Sequence, residues 1–501
     1  MLRSVPHVVC TQRVEVEFEN PKHAFECRNQ LSEICKNKLL PAIELLFDEK
    51  IREDRIVRIE KLQLDAGILE KEGWEKKFVE EIIKQLRLYL DRIPKDKMQP
   101  VHRSHVEDFN PSPSEDSAIE INEYTADERF EEAFIYFLKK GVLPWFTLAI
   151  SYDKMHESAF QLIKSKSTFK RRILTLISNN SLAHERLIFQ FRADLLFELF
   201  SNEQVNAEKI KQWKRSFDKL FSFTEANKKL LDKAFHRAVE QAIPLVSAKT
   251  KQEAILERIL KEVLHQLDVV HIDLISKHVD TLTGSPFQEI KVKRLKGILS
   301  HYKEQNSSVS TVKSTKKGKQ SEKSMDRKIM DQIDDGPVFI ENSGLVLLHP
   351  FLANLCENIG YTKEQKWESA QLHERGVLLT HYLITGQNEF PEYEMFLNKL
   401  MMGYPLDNPL SLEAKLSDFE MNETNDLFVS VIKHWVALKN TSVEGLRNTF
   451  LQRAGKLTKK ESGWLLQVEQ KAFDILLDKI PWGFSTIKTP WMDEILSVEW
   501  T

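Results

Sequence analysis

Cysteine is scarce in this sequence, which excludes a disulfide framework. Four cysteines, Cys10, Cys27, Cys35 and Cys356, are spread over 501 residues, whereas disulfide-stabilised domains carry many cysteines in a short chain. Cys27 and Cys35 stand eight residues apart, with no CxxC pair and no histidine pair beside them. We therefore expect four reduced thiols, most of them packed in the interior.

Glycine and proline are also rare, at 16 and 17 residues, which is below the roughly 7% and 5% of average proteins. Both residue types interrupt helices. Their scarcity among many leucine, lysine, glutamate and isoleucine residues predicts a mainly helical protein.

Long hydrophobic runs are missing as well. No apolar run approaches the roughly 18 residues that a membrane-spanning helix needs, and residues 345–348 are typical of the short runs that are present. The N-terminus turns charged after a very short apolar stretch, unlike a signal peptide. We expect a protein that has no membrane span and is made and kept in the cytoplasm.

A general excess of positive charge is absent too. The formal net charge is −3, so the chain lacks the basic field of a typical nucleic-acid binder. Locally, residues 303–330 carry eight basic and three acidic residues. This composition indicates a basic flexible linker. The alternative is a patch for nucleic acid or another acidic surface, but no aromatic residue is interleaved for base stacking. We expect no nucleic-acid partner.

The residues that are present suffice for folded cores, because 42% of the chain is hydrophobic. A single core rarely grows past roughly 250–300 residues, so 501 residues predict two or three domains. The fold class we expect is mainly α with small β elements (α+β). The predicted layout is an N-terminal α+β domain (1–95), a linker (96–123), a helical domain (124–302), a basic flexible linker (303–335) and a C-terminal helical domain (336–501).

The N-terminal domain is predicted from a change of period along the chain. Residues 11–19 and 55–65 alternate between apolar and charged side chains, which is typical of half-buried strands. A slip in the second alternation suggests a bulge at residues 60–61. Helical spacing follows each strand, and Pro41 is expected to kink the first helix or to start a new one. The unit is therefore strand–helix–strand–helix.

The rest of the chain shows mostly helical spacing without a fixed repeat or a sustained heptad. Gly141 is expected to end the first central helix, and Pro144 with Trp145 to open the next. Further central helices are predicted near 155–165, 168–178, 182–200, 203–221, 225–241, 249–266 and 268–280. The C-terminal domain is predicted to contain a strand at 338–340, a helix opened by Pro350, helices near 368–385, 391–402, 423–438, 442–452 and 470–479, and a hairpin at 455–469.

The motifs of common enzymes are missing. We find no phosphate loop, no GxGxxG after a strand, no GxSxG and no HExxH. Cys356 with His349 or His381 is a conceivable nucleophile pair, but a buried structural cysteine fits its apolar helix better. His102 and His105 have no further ligands nearby. We predict no catalytic residue, no cofactor, no metal site and no enzymatic activity.

The tail is rich in tryptophan, with five of the nine tryptophans in the last 67 residues. Aromatic residues beside prolines in so short a segment either pack back on the domain or form a partner interface. Both interpretations stay open. The candidates for a partner interface are Trp482, Phe484, Trp491, Met492 and Trp500.

Several motifs at the two ends resemble one known family. They are Pro481-Trp482-Gly483-Phe484-Ser485, Pro490-Trp491-Met492, Val498-Glu499-Trp500, Glu341-Asn342-Ser343-Gly344, Leu397-Asn398-Lys399-Leu400, His434-Trp435-Val436, Lys38-Leu39-Leu40-Pro41 and Leu62-Gln63-Leu64-Asp65-Ala66-Gly67. Over about residues 7–90 and 336–500, the chain resembles the contractile injection system tape measure family.

The resemblance implies a structural or assembly role in a phage-tail-like particle, either setting tube length or scaffolding tube assembly. It implies inner tube, baseplate or spike proteins as partners, incorporation into the particle, and neither catalytic residues nor a cofactor. A ruler that works by length needs a continuous helix at about 1.5 Å per residue, whereas Pro144 and Pro244 interrupt this chain. Ruler and folded scaffold therefore both stay open, and the alternative is a non-enzymatic chaperone or adaptor for a particle component or cargo.

Overall fold

The computed structural model describes residues 9, 12–16, 30–50, 56–59, 62–69, 73–91, 119–122, 125–147, 150–203, 205–221, 228–242, 252–265, 275, 295–300, 302, 336–411, 415–438 and 441–500. The chain divides into two compact units. The first comprises Met1–Glu132 with Trp145–Ala149, and the second comprises Ala133–Pro144 with Ile150–Thr501. The domain layout inferred from the sequence stays a prediction.

The first unit contains helices and one small antiparallel ladder. Its elements are α1 (Leu40–Lys50), β1 (Ile56–Ile59), α2 (Trp74–Asp91) and β2 (Ile119–Asn122), with a π-helical turn at Cys35–Leu39 before α1. Helical residues 30–34 lead into that turn. Apolar residues of these helices share small cores formed by Ile34, Leu39, Phe78 and Ile82 and by Leu46, Leu86 and Leu90.

Pro41 explains the irregular helix start. Proline has no N–H to donate, and just before it the hydrogen-bond pattern widens, since the N–H of Leu40 donates to the carbonyl of Cys35. π-helical turns of this kind occur as single-turn insertions within α-helices. Where a kink or a new helix was expected at Pro41, the structure has a π-helical turn within a helical run over residues 30–50.

The strands of this unit differ from the predicted ones. Residues 12–16 belong to no strand of the described chain, and the second predicted strand is reduced to β1. β1 pairs with β2, so that Ile56 lies opposite Asn122, and β2 comes from the range expected to be a linker. Residues 62–69 form no strand, although Leu62 and Leu64 pack on the helices. An alternating pattern shows only that one side of a segment is buried. A coil segment that packs against helices produces the same pattern. The predicted bulge at 60–61 is outside the described residues.

The central helices of the second unit are short and follow one another closely. After α3 (Ala126–Lys140), which begins in the first unit, they are α4 (Tyr152–Ser165), α5 (Ser167–Asn179), α6 (Ser181–Gln190), α7 (Ala193–Phe200), α8 (Ala207–Phe221), α9 (Lys228–Ala242) and α10 (Gln252–His265). Gly141, at φ +74°, ends α3 as predicted. Of the helix predicted at 268–280, the structure describes only Ile275, which is helical.

Two predicted central helices have different ends. The helix expected at 182–200 is divided, because Phe191 and Arg192 adopt extended backbone between α6 and α7. Phe191 is buried there, so tertiary packing breaks the helix without glycine or proline. No helix opens at Pro144 and Trp145, since residues 145–147 form a turn. The helix predicted near 155–165 is α4, which starts after Ser151, whose hydroxyl accepts from the N–H of Lys154. A side-chain acceptor at the N-cap is the stronger start signal.

The C-terminal region, residues 336–500, combines helices with a five-stranded sheet. In order it contains β3 (Val338–Ile340), a 3-10 helix (Ser343–Leu348), α11 (His349–Asn358), β4 (Thr362–Lys363), β5 (Lys366–Trp367), α12 (Ala370–Thr385), a short 3-10 helix (Glu392–Glu394), α13 (Phe396–Met402), α14 (Asp418–His434), a 3-10 turn (Val436–Leu438), α15 (Val443–Leu446), a π-helical turn (Arg447–Leu451), β6 (Gly455–Lys460), β7 (Gly463–Val468), a 3-10 helix (Ala472–Lys479), β8 (Thr486–Ile487) and β9 (Ile495–Glu499).

The sheet has the order β3-β6-β7-β9-β8. All neighbours are antiparallel except β7 and β9, which run parallel with Leu466 opposite Val498. The predicted strand at 338–340, the helix opened by Pro350 and the hairpin β6–β7 are confirmed. The fold class, mainly α with small β elements, is confirmed as well.

Three features of this region were not predicted. β8 and β9 lie in the segment interpreted only as an aromatic tail, and the helix expected at 470–479 is a 3-10 helix. β4 and β5 form a tight hairpin whose two turn residues, Glu364 and Gln365, have φ of +50° and +62°. Such turns normally use glycine or asparagine, and neither residue type is present here to signal one.

Candidate partner interface

Trp482 follows the 3-10 helix Ala472–Lys479 and folds back on the domain. Its indole N–H donates to the carbonyl of Leu347 over 3.0 Å. Its ring meets Phe351 edge-on, with the centroids 5.1 Å apart, and lies 6.5 Å from Trp435. The side chain remains half-buried. Trp482 therefore contributes to the fold and still offers an aromatic face to the surroundings.

Trp500 is buried next to a buried ion pair. Its indole N–H donates to Asp474 Oδ2 over 3.2 Å, and Asp474 accepts two hydrogen bonds from Arg453, of 2.8 and 2.7 Å. Burial raises the pKa of Asp474, but the hydrogen bonds and charge of Arg453 outweigh it, so that pKa lies below its ordinary value. The half-buried Phe484 packs edge-on against Trp500. The buried carboxylate of Asp474 thus holds the end of β9 through Trp500.

Trp491 and Met492 join the tail to the β4–β5 hairpin and to α13. The indole N–H of Trp491 donates to Gln365 O over 2.8 Å, and its ring lies 4.8 Å from that of Trp367. Its backbone carbonyl comes so close to Gly403 (φ +65°) that a side chain at Gly403 would overlap it. Met492 is buried, and Trp491 is half-buried.

The five candidate residues therefore do not form one surface. Met492 and Trp500 lie in the core, whereas Trp482, Phe484 and Trp491 are half-buried. Two exposed apolar side chains are sequence neighbours of residues linked to Trp482: Val436, 77% exposed, follows Trp435, and Ile475, 69% exposed, precedes Leu476, whose carbonyl accepts from Trp435. His434, beside Val436, contacts Phe351. A partner interface at the tail stays a prediction.

The sequence motifs near 342 and 398 form a buried polar chain. Asn342 Nδ2 donates to Asn398 Oδ1 over 2.6 Å and to Glu394 O over 2.9 Å. Asn398 in turn donates to the hydroxyl of Thr380 over 3.0 Å. Gly344 lies against the Phe450 carbonyl so closely that an added Cβ would overlap it. These motif residues therefore serve internal packing.

A buried cluster of three charges was missed by the sequence reasoning. Glu392 Oε1 accepts hydrogen bonds from Arg186 Nε over 3.1 Å and from Lys399 Nζ over 2.6 Å. The side chains are 0%, 0% and 2% exposed for Glu392, Arg186 and Lys399. We call these three residues the charge cluster. Arg186 stands 206 positions before Glu392, a distance at which no sequence pattern pairs two residues.

A second acidic centre fixes the start of α14. Glu420 caps the helix together with Ser417 and accepts a 2.7 Å hydrogen bond from Arg375 and another from Tyr361. Burial raises the pKa of Glu420, but the hydrogen bonds from Arg375, Tyr361 and Ser417 outweigh it and lower that pKa to about 2. This charge also serves to hold helices together.

The conceivable nucleophile is inert in this environment. Cys356 is buried, and burial raises the pKa of its thiol to about 12. The two partner candidates are engaged elsewhere, since His349 Nδ1 lies 2.8 Å from Val346 O and His381 Nε2 lies 3.0 Å from Glu394. His102 and His105 fall outside the described residues. Within the described ranges, no group of three potential metal ligands occurs, and no helix is long and apolar enough to cross a membrane.

The described residues form a mainly helical fold whose aromatic tail and buried charges hold its own elements together. A family model described as contractile injection system tape measure protein matches residues 6–500, and the chain belongs to this family. Its role is accordingly structural, in the assembly of a contractile injection particle. Comparison with curated protein sequences and with solved structures found no match.

Proposed function

We propose that the C-terminal region acts as a folded anchor, which holds an inner tube, baseplate or spike component while the particle assembles. The observation that supports this is the sheet topology. β3, at the start of the region, pairs with β6, and β9, at its end, lies between β7 and β8. Drawing out the first end would strip the edge strand β3 from β6, and drawing out the last would pull β9 from between β7 and β8 and expose the buried face that carries Leu457, Leu466 and Leu496. We propose that the chain stays in the cytoplasm until the particle takes it up.

The half-buried aromatic residues of the tail are the proposed contact surface for that component. Trp482, with Phe351 beneath it and Val436 and Ile475 exposed nearby, offers an apolar aromatic patch of the kind that dominates protein interfaces. Replacing Trp482 with Ala should abolish co-purification of the anchored component. The matched control is Phe419→Ala, since Phe419 is exposed on α14. Equal binding by both variants would contradict this surface.

A disulfide tests whether the region works in its folded state. Phe339 and Lys456 are direct partners across the antiparallel β3–β6 ladder, where opposite Cα atoms lie about 4.5–5.5 Å apart, within reach of a disulfide. The double variant Phe339→Cys/Lys456→Cys would close most of the region into one covalent loop. A folded anchor should assemble particles equally well whether the disulfide is oxidised or reduced.

The controls are the two single-cysteine variants, assembled under the same oxidising conditions. If oxidised double variants fail to form particles while reduced ones and both controls succeed, the region must unfold during assembly. That result would reject the folded anchor.

Particle length separates a ruler from a scaffold. The longest uninterrupted α-helix of the described residues, α2, has 18 residues and spans about 27 Å, so a long ruler would have to form by extension. Whole helices can be removed from or duplicated within 150–265 and tube lengths measured by electron microscopy. A change of about 1.5 Å per residue would assign the measurement to the central helices, and an unchanged length would assign the protein a scaffold role.

A further inference from the structure

The charge cluster lies where the central helices meet the C-terminal region. Arg186 belongs to α6, Glu392 to the short 3-10 helix before α13, and Lys399 to α13 itself. The two cations share one carboxylate oxygen, Glu392 Oε1. The contact therefore concentrates three buried ionisable groups at a single point between two regions of the same compact unit.

The remaining donors of the cluster are directed at fixed backbone acceptors. Arg186 donates to Leu138 O over 2.5 Å and to Asp407 O over 2.7 Å. Lys399 donates to Leu406 O over 3.1 Å and to Asn408 O over 2.8 Å. Such a set of hydrogen bonds is satisfied in one arrangement only, so the cluster specifies how the central helices dock.

The rest of this joint combines one aromatic contact, the edge-on packing of Tyr393 on the buried Phe137 with centroids 5.8 Å apart, with several polar ones. Gln190, at the end of α6, donates to Leu410 O and accepts from the N–H of Glu392, each over 2.8 Å. Tyr393 donates its hydroxyl to Ile150 O over 3.0 Å. By contrast, Val142 and the partly buried Tyr136 are the only described residues before 336 that belong to the apolar core of the C-terminal region.

A polar joint of this kind specifies the relative geometry of the two regions more than it stabilises their association. Burying two cations and a carboxylate removes their hydration, and the attraction between them repays that cost incompletely, so apolar replacements are often as stable or more stable. On separation all three charges regain water. An apolar joint would instead resist separation in proportion to its buried area.

We propose that the charge cluster is a releasable clasp: the central helices separate from the C-terminal region as a group, while that region keeps its fold. The use of this separation during assembly rests on the folded-anchor function proposed above. The clasp itself is a property of the isolated chain and can be tested without particles.

Hydrogen exchange of the purified full-length chain tests the clasp. Arg186→Met removes the bond from the central side but leaves Glu392 neutralised by Lys399. We expect amides of α4–α7 to exchange on the order of 10-fold faster or more, with β6, β7 and β9 changed less than about 2-fold. The matched control is Arg192→Met, because Arg192 is half-exposed and pairs with Asp153 on the surface. Equal acceleration in both regions, or in neither, would overturn the proposal.

A second variant removes the whole cluster. Arg186→Met/Glu392→Leu/Lys399→Met leaves no buried charge, but the four backbone carbonyls that accept from Arg186 and Lys399 lose those donors. Exchange in α4–α7 should therefore again be faster than in the unmodified chain, with β6, β7 and β9 little changed. Exchange in α4–α7 equal to that of the unmodified chain would overturn the role of the cluster as a clasp. The disulfide experiment on Phe339 and Lys456 decides the anchor function independently.

Discussion

Asp474 neutralises a guanidinium that has no access to water, and its replacement measures how strongly the tail is held. The side chain of Arg453 is 0% exposed, and that of Asp474 is 9% exposed. Breaking one partner of a buried pair costs about 3–5 kcal/mol. Asp474→Asn keeps the shape and one acceptor oxygen, so we expect the C-terminal region to lose about 3 kcal/mol, with Trp500 losing a charged hydrogen-bond partner as well.

Urea unfolding followed by tryptophan fluorescence provides the measurement, and Asp478→Asn is the control. Asp478 is exposed on the same 3-10 helix, so its replacement should stay within about 0.5 kcal/mol of the unmodified chain. A loss below about 1 kcal/mol for Asp474→Asn would refute the reasoning, because removing one partner of a buried ion pair should change the free energy of unfolding by more than that. The double variant Arg453→Met/Asp474→Leu should recover only part of the loss, since it leaves no unpaired charge but removes the acceptor of the buried Trp500 indole N–H.

The pH dependence of the same pair has a defined sign. The folded-state pKa of Asp474 lies below its ordinary 3.8, so the unfolded chain binds the proton first as pH falls. The stabilisation is present above pH 3.8 and is lost below it as the pH passes through the folded-state pKa. In Asp474→Asn this acid-dependent contribution should be missing.

Three further outcomes follow from the buried groups. Gly344→Ala should destabilise the C-terminal region by about 2 kcal/mol or more in thermal unfolding, because the new Cβ would overlap the Phe450 carbonyl. Burial lowers the pKa of His184 to about 3 and that of His236 to about 4. The unfolded chain therefore binds protons first, and the central helices should lose stability as pH falls below about 6.5. An equal unfolding midpoint at pH 7 and pH 5 would contradict this. Cys356 should resist thiol labelling, mapped by mass spectrometry, until urea unfolds the chain, since burial raises the pKa of its thiol to about 12.

Local signals in the sequence predicted the β6–β7 hairpin but not β9. The hairpin is joined by a short polar turn, so both strands fall within one window of sequence. β9 pairs in parallel with β7, and Leu466 lies opposite Val498, far along the chain. The alternating apolar pattern of a strand was present in β9 and the residue after it, since Leu496, Val498 and Trp500 are buried at alternate positions. The prolines and tryptophans around it favoured an aromatic tail that either packs on the domain or forms a partner interface.

The β4–β5 hairpin shows a limit of turn rules. Glu364 and Gln365 both adopt positive φ, which costs a non-glycine residue about 1 kcal/mol or more. The compensation comes from a distant segment, because Gln365 O accepts the indole N–H of Trp491 and Trp367 packs on the same ring. Long-range contacts of this type outweigh a local preference, and no local window contains them.

Buried charges are the hardest feature to predict, because a charged residue in a sequence is expected at the surface. Among 72 basic and 75 acidic residues, nothing pairs Arg186 with Glu392. Lys399 is different, because it lies in α13, where Phe396, Leu397, Met401 and Met402 are all buried. A helix that is apolar on every side is buried on every side, and a lysine inside it must have a partner. The sequence could therefore have predicted that Lys399 is paired in the core, while the identity of Glu392 and Arg186 as its partners depends on the folded chain.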